Sequence, residues 1–98
     1  MLDVTVRAKE ELKRLLRANV DMPQARLRLV DRGLGNLGFG IDIDIELPGD
    51  ELVKHDGFTV LIIDPELAGN LDNITIDVDD TPKGSELVII DTIIGKRV

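Results

Sequence analysis

Cysteine, tryptophan and tyrosine are all missing from this chain of 98 residues, and its only aromatic side chains are two phenylalanines. Without cysteine there is no disulfide framework, no thiolate nucleophile and no zinc or iron–sulfur site ligated by the chain's own sulfur. Without tryptophan or tyrosine, and with a net charge of −7, the chain lacks the stacking platforms and the phosphate-neutralising surplus that nucleic-acid binding needs. No nucleic-acid partner is expected. Long apolar runs are lacking too. Nothing approaches the roughly 20 residues of a membrane span, and Arg7, Lys9 and Lys13 interrupt the segment where a signal peptide would carry its apolar stretch. The expected location is therefore the cytoplasm, with no membrane association.

What is present is an acidic, aliphatic chain of the commonest domain size, long enough to bury a core unaided. It reads as one domain, residues 1–98, of α+β class. Met1 to Val4 reads as a short strand and Thr5 as an N-cap, its hydroxyl placed to accept from a free backbone N–H. Ala8, Leu12, Leu15 and Leu16 then recur at helical spacing and predict a helix ending near Asn19. On its polar face Glu10 and Arg14 stand four apart and are expected to pair.

Residues 33 to 40 carry four glycines in eight positions, and the first six match G-x-G-x-x-G. A phosphate-cradling loop of that pattern must open a helix. Here it opens the alternating run Ile41-Asp42-Ile43-Asp44-Ile45-Glu46-Leu47, which is a strand. The nucleotide reading fails, and the loop becomes the connection of an antiparallel hairpin between Arg26–Val30 and Ile41–Leu47. With Leu27 and Leu29 on the core face beside Ile41, Ile43 and Ile45, the register sets Arg28 against Asp42 and Arg26 against Asp44. A one-residue slip would bury those charges.

Further on, Glu51 to Asp56 reads as polar and irregular, with a short extended piece at Leu52 and Val53. Phe58 to Ile63 reads as a strand covered on both faces, Asp64-Pro65 as an N-cap and first helical residue of a short helix, and Asn73 to Asp79 as an alternating strand. Asp80 to Ser85 is a turn-rich link, and Leu87 to Ile90 closes the set as the last buried strand.

The side chains that carry chemistry are few. His55 is the only histidine; with Asp56 it could form half of an acid–base pair or a metal site, but no second imidazole completes a set, and a solvated turn histidine is the plainer reading. Asp42, Asp44 and Glu46 form a carboxylate row that a hard cation could use. Side chains at i, i+2 and i+4 of a strand spread over roughly 13 Å, however, and do not converge on a point. Asp77, Asp79 and Asp80 resemble a calcium-loop fragment without its glycine and final glutamate. Ser85, the only serine, lies in a turn, and no nucleophile elbow or H-E-x-x-H is present. An enzyme is not expected.

The order of elements nevertheless resembles a known family. A Thr-led helix, an Arg-bearing strand, a glycine loop and an alternating strand come first. Gly57-Phe58-Thr59-Val60-Leu61-Ile62-Ile63-Asp64, then Leu71-Asp72-Asn73-Ile74-Thr75-Ile76-Asp77-Val78 and a closing apolar strand follow. This is similar to the HesB/IscA family of A-type iron–sulfur carriers over about residues 2 to 91. The resemblance implies a compact β-sandwich of mixed strands with an N-terminal amphipathic helix and one short helix. It also implies a place in iron–sulfur cluster biogenesis, and three ligand cysteines, one in a Gly-Cys-Ser-Gly type loop and two in a C-terminal Cys-Gly-Cys. Aligned on Ile41, Ile43 and Ile45, the first cysteine falls at Asn36, between Gly35 and Leu37-Gly38. The second motif finds no counterpart in Ile94-Gly95-Lys96-Arg97-Val98. An amide does not replace a soft thiolate on iron. The expectation is a degenerate, non-catalytic relative with no cluster or other cofactor of its own. It would act through protein partners, possible members of iron–sulfur assembly or a second copy in a homodimer. The alternative is a small metal- or ligand-binding domain using the glycine loop with Asp42, Asp44, His55 and Asp56.

Overall fold

A computed structural model describes residues 2–19, 21–32 and 38–97. The elements run β1 (Asp3–Val4), α1 (Val6–Asn19), β2 (Ala25–Asp31), β3 (Phe39–Ile45), β4 (Glu51–His55), β5 (Phe58–Ile63), α2 (Pro65–Ala68), β6 (Ile74–Thr81), β7 (Gly84–Asp91) and β8 (Lys96–Arg97). They form two four-stranded sheets, β1-β6-β7-β8 and β3-β2-β5-β4. Each sheet is mixed: β1–β6 and β2–β5 pair parallel and the remaining neighbours antiparallel. This is the expected α+β sandwich.

Helix α1 begins where its cap requires. The Ala8 N–H donates to Thr5 Oγ1 at 3.1 Å, while the same hydroxyl donates to Asp77 Oδ1 at 2.8 Å, fastening the helix start to β6. Ala8 and Leu12 are wholly buried. They meet Leu27 and Leu29 of β2, Val60, Leu61 and Ile63 of β5 and the inward row Ile74, Ile76 and Val78 of β6 in a single aliphatic core. Burying each leucine, isoleucine or valine contributes about 1.5–3 kcal/mol, so aliphatic side chains carry the core, with Phe39 packed against it. The consecutive burial of Val60 to Ile63 fits a strand covered on both faces. The Asp64 side chain accepts from the Glu66 N–H, with Pro65 opening α2.

Several expectations need correction. Arg14 pairs with Glu11 through two hydrogen bonds of 2.9 and 2.6 Å, not with Glu10. The stretch from Glu51 is a full strand, β4, with one register shift between Val53 and Lys54, and it is joined to β5 by the two-residue turn Asp56-Gly57 with φ of 52° and 81°. Both positive values suit a type I′ hairpin. The link expected over Asp80 to Ser85 shrinks to a tight turn, because β6 and β7 stay paired as far as Thr81 and Gly84. Leu87 to Ile90 is followed by one more strand, β8.

The β2–β3 register is the expected one, with Arg26 opposite Asp44, Leu27 opposite Ile43, Arg28 opposite Asp42 and Leu29 opposite Ile41. Burial does not follow it all the way. Ile41 packs against the core, but Ile43 and Ile45 are 55% and 50% exposed. Strand β3 is one of the two edge strands of its sheet, and its second half stands outside the core that covers β2.

Candidate functional site

The position aligned with a ligand cysteine, Asn36, and its neighbours Gly35 and Leu37 lie outside the described residues. The rim of that loop is described. Gly38 takes a φ of +36°, and its carbonyl accepts from the Arg32 N–H, extending the hairpin pairing to the loop mouth. The Arg32 side chain then runs back along the sheet to Asp42, Nη2 to Oδ1 2.8 Å. It crosses Gly40, where a Cβ would collide with the guanidinium. A side chain at position 40 would therefore require the exposed Arg32 guanidinium to move aside.

Beyond the rim the charges do not pair straight across. Arg28 is buried and turns away from Asp42. Its Nε donates to Asp44 Oδ2 at 2.7 Å, and its two terminal nitrogens donate to both oxygens of Asp50, at 3.0 and 2.7 Å. Nη2 also donates to the Ile45 carbonyl at 3.0 Å. Asp50 follows the Pro48-Gly49 turn with only 2% of its side chain exposed, and it accepts from the Leu47 N–H as well. Hydrogen bonds from Arg28 hold Asp50 below the usual carboxylate range. The Ile45 N–H, then Arg28, do the same for Asp44, and Asp50 raises Arg28 further. Diagonal neighbours on a sheet lie within reach of long side chains. Asp50 draws Arg28 one step along, so Asp42 is left to Arg32, and Arg26 to backbone carbonyls of Pro23 and Ala25.

His55 and Asp56 sit at the opposite edge. His55 Nε2 is 3.4 Å from Asp56 Oδ2, which also lies 3.7 Å from Lys13 Nζ. Strands β3 and β4 are the two ends of one sheet, and neighbouring strands lie about 4.8 Å apart. Asp42 and Asp44 are thus three strand spacings from His55 and Asp56, and the four side chains do not meet. Among the described residues no group of three histidine or acidic side chains could hold a metal ion. Asp77, Asp79 and Asp80 are each engaged separately, by Thr5, Arg97 and Arg7.

One feature of the His55 edge escaped the sequence reading. Phe58 is 48% exposed, and Lys13 Nζ and Arg17 Cζ lie over its ring at 4.6 and 5.4 Å from the centroid. The signal available was the four-residue spacing of Lys13 and Arg17 together with the Asp56-Gly57 hairpin turn, which brings Phe58 back toward α1.

Two mixed sheets, a capped N-terminal helix and a glycine-rimmed hairpin make a fold that this chain shares with solved proteins of iron–sulfur cluster assembly. IscA, solved with a [2Fe-2S] cluster, is 24% identical with a TM-score of 0.60, over 93% of this chain and 85% of that one. Escherichia coli SufA, involved in biosynthesis of iron–sulfur clusters, is 22% identical with a TM-score of 0.67, over 92% and 84%. A protein from Aquifex aeolicus solved by NMR is 24% identical with a TM-score of 0.57, over 90% and 88%. No family model and no curated protein matches the sequence. The resemblance inferred from the order of elements therefore holds for the fold.

The donor set does not fit a cluster. The chain has no thiolate, and Asp42 and Asp44, on the strand that leaves the loop, are taken by Arg32 and Arg28. Iron–sulfur clusters are held chiefly by thiolates. No helix among the described residues is long and apolar enough to cross a membrane.

Proposed function

We propose that this protein serves iron–sulfur cluster biogenesis as a non-catalytic, cysteine-less counterpart of the carriers, acting through contact with other proteins and not by holding a cluster. The observation that carries this reading is the shared fold with IscA and SufA in a chain with no cysteine. The fold supports the pathway, and the missing thiolates support the division of labour. The β3 edge supports contact. It is an edge strand of its sheet and exposes Ile43 and Ile45, the kind of apolar edge that proteins ordinarily cover or charge. A protein partner of the assembly machinery or a second copy would cover it, in the cytoplasm.

Anaerobic incubation with ferrous iron and sulfide, followed by desalting, tests the reading. The protein is expected to elute colourless, with iron and sulfide far below one per chain. Stoichiometric uptake with charge-transfer absorption in the visible would overturn it. The rival metal-site reading is not favoured, because its four residues stand at opposite edges of one sheet.

A further inference from the structure

We propose that the groove between the C-terminal half of α1 and the β4–β5 turn binds a short acidic segment of a partner protein, with one apolar side chain seated on Phe58. The inference rests on the protein-contact reading and adds the partner's chemistry to it.

Charge is the first argument. The chain carries 19 acidic and 12 basic side chains, so a lining with cations alone runs against its composition. This groove, of about 320 Å3, is lined by Lys13, Arg17 and Arg26, with no carboxylate among the described residues. The neighbouring groove over His55 includes Glu10 and Asp56, and the one between β1 and β4 includes Asp3 and Glu51.

The state of those cations is the second argument. Arg28 uses its guanidinium on two carboxylates. Among the described residues Arg26, on the same strand face, reaches the carbonyls of Pro23 and Ala25 alone, and its buried Nε has no acceptor there. Arg17 lies over the Phe58 ring, and Lys13 shares that ring while its ammonium pairs with the exposed Asp56 at 3.7 Å. A ring quadrupole holds a cation but does not neutralise it. The groove therefore presents two guanidinium groups with no carboxylate partner among the described residues, Arg17 and Arg26, beside the Lys13 ammonium that Asp56 pairs, and placing them before binding lowers the entropy lost when a carboxylate docks.

The third argument is the apolar surface among them. Phe58 and Met22 are 48% and 62% exposed, both line the groove, and a methionine adapts to varied apolar shapes. At the small end of the usual range of ligand cavities, the volume suits one anchoring side chain. Guanidinium groups match carboxylates in bidentate fashion, so flanking aspartates or glutamates complete the fit. A nucleic-acid strand fits worse. Its many phosphates would meet the overall charge of −7 and find three cations and one exposed ring.

The test is fluorescence anisotropy at low salt with the full chain and a labelled ten-residue peptide, a central leucine–phenylalanine pair flanked by glutamates. Saturable binding is expected, weakened about tenfold by Arg17→Glu and likewise by Phe58→Ser, with far-UV circular dichroism confirming that both variants fold. A lysine-flanked peptide should not bind. Equal binding of the lysine peptide, indifference to both substitutions, no saturation at millimolar protein, or tighter binding of a single-stranded oligonucleotide of equal charge would each overturn the proposal. Peptide binding can fail while cluster uptake remains nil, and cluster uptake can occur while the peptide binds, so the two readings fail separately.

Discussion

Arg28 and Arg26 leave β2 on the same face, two residues apart, into opposite surroundings. Arg28 is 7% exposed and gives every arm of its guanidinium to an acceptor, two of them on a carboxylate buried almost completely. Arg26 meets backbone carbonyls on one nitrogen and leaves Nε unsatisfied. A buried charge is tolerated when geometry satisfies it fully and is costly when one partner is lost. A partly satisfied charge at a surface groove adds little to folding but stays available to something else. The Arg28 knot therefore belongs to the fold, and the Phe58 groove, which includes Arg26, belongs to recognition.

The largest expected effect comes from breaking the knot. Asp50→Ala removes the bidentate partner and leaves Arg28 buried with Asp44 and the Ile45 carbonyl as its acceptors. Unfolding in urea should show a loss of about 3–5 kcal/mol. Arg28→Ala should cost a similar amount, and the double variant clearly less than the sum, because each single change strands the other group. Additive losses would mean that the two are not coupled and would dissolve the contrast with Arg26.

Acid should weaken the same place. Asp50 and Asp44 have folded pKa values below the unfolded carboxylate value of about 3.9. Their contribution is therefore whole above that pH and drains away as pH falls through the lower folded values. The urea midpoint should hold steady from neutrality down to about pH 5 and drop below pH 4. In Asp50→Asn the drop below pH 4 should be shallower, since one of the groups responsible no longer titrates.

How much of this could be read from the sequence differs between the two regions. The alternation of Arg26-Leu27-Arg28-Leu29 against Ile41-Asp42-Ile43-Asp44 yielded the observed register, because a period of two leaves one choice once the apolar faces are matched. The actual ion pairs were not legible. They depend on Asp50, which lies beyond a Pro-Gly turn in a segment with no periodicity, and which pulls Arg28 off its direct opposite. The exposure of Ile43 and Ile45 was equally hidden, since alternation assigns a face but not how far the facing layer extends. Strand β4 was legible in principle: Asp56-Gly57 is a hairpin turn signal, overshadowed by the polar residues before it. The Phe58 groove needed the fold, because α1 and β5 are distant in sequence. Asn36, the position that the resemblance aligns with a ligand cysteine, lies outside the described residues and adds only its sequence position.

Smaller effects separate the two arginines more sharply. Arg26→Met keeps much of the aliphatic stem and removes a buried donor with no acceptor. Leaving such a group unmade costs about 1–3 kcal/mol, offset here by the bonds from Nη1 to the Pro23 and Ala25 carbonyls. The variant should be as stable as the parent or up to about 1 kcal/mol more stable in urea. A loss approaching that of Asp50→Ala would show Arg26 to be as structural as Arg28 and would remove it from the groove's recognition surface.

Arg17→Glu should change stability least of all, by less than about 0.5 kcal/mol, because Arg17 is exposed and bound only to an exposed ring. Salt then tells the regions apart within a single protein. Exposed charges are screened over a Debye length of about 8 Å at physiological ionic strength, and buried pairs much less. Raising salt from about 0.05 to 0.5 M should therefore leave the difference in urea midpoint between the parent and Asp50→Ala nearly intact while abolishing capture of an acidic peptide by the parent. If the Asp50 difference collapsed with salt, the knot would be a surface ion pair in all but position. If peptide capture survived it, the groove would be holding its ligand by Phe58 and Met22, and the cations around them would be scenery.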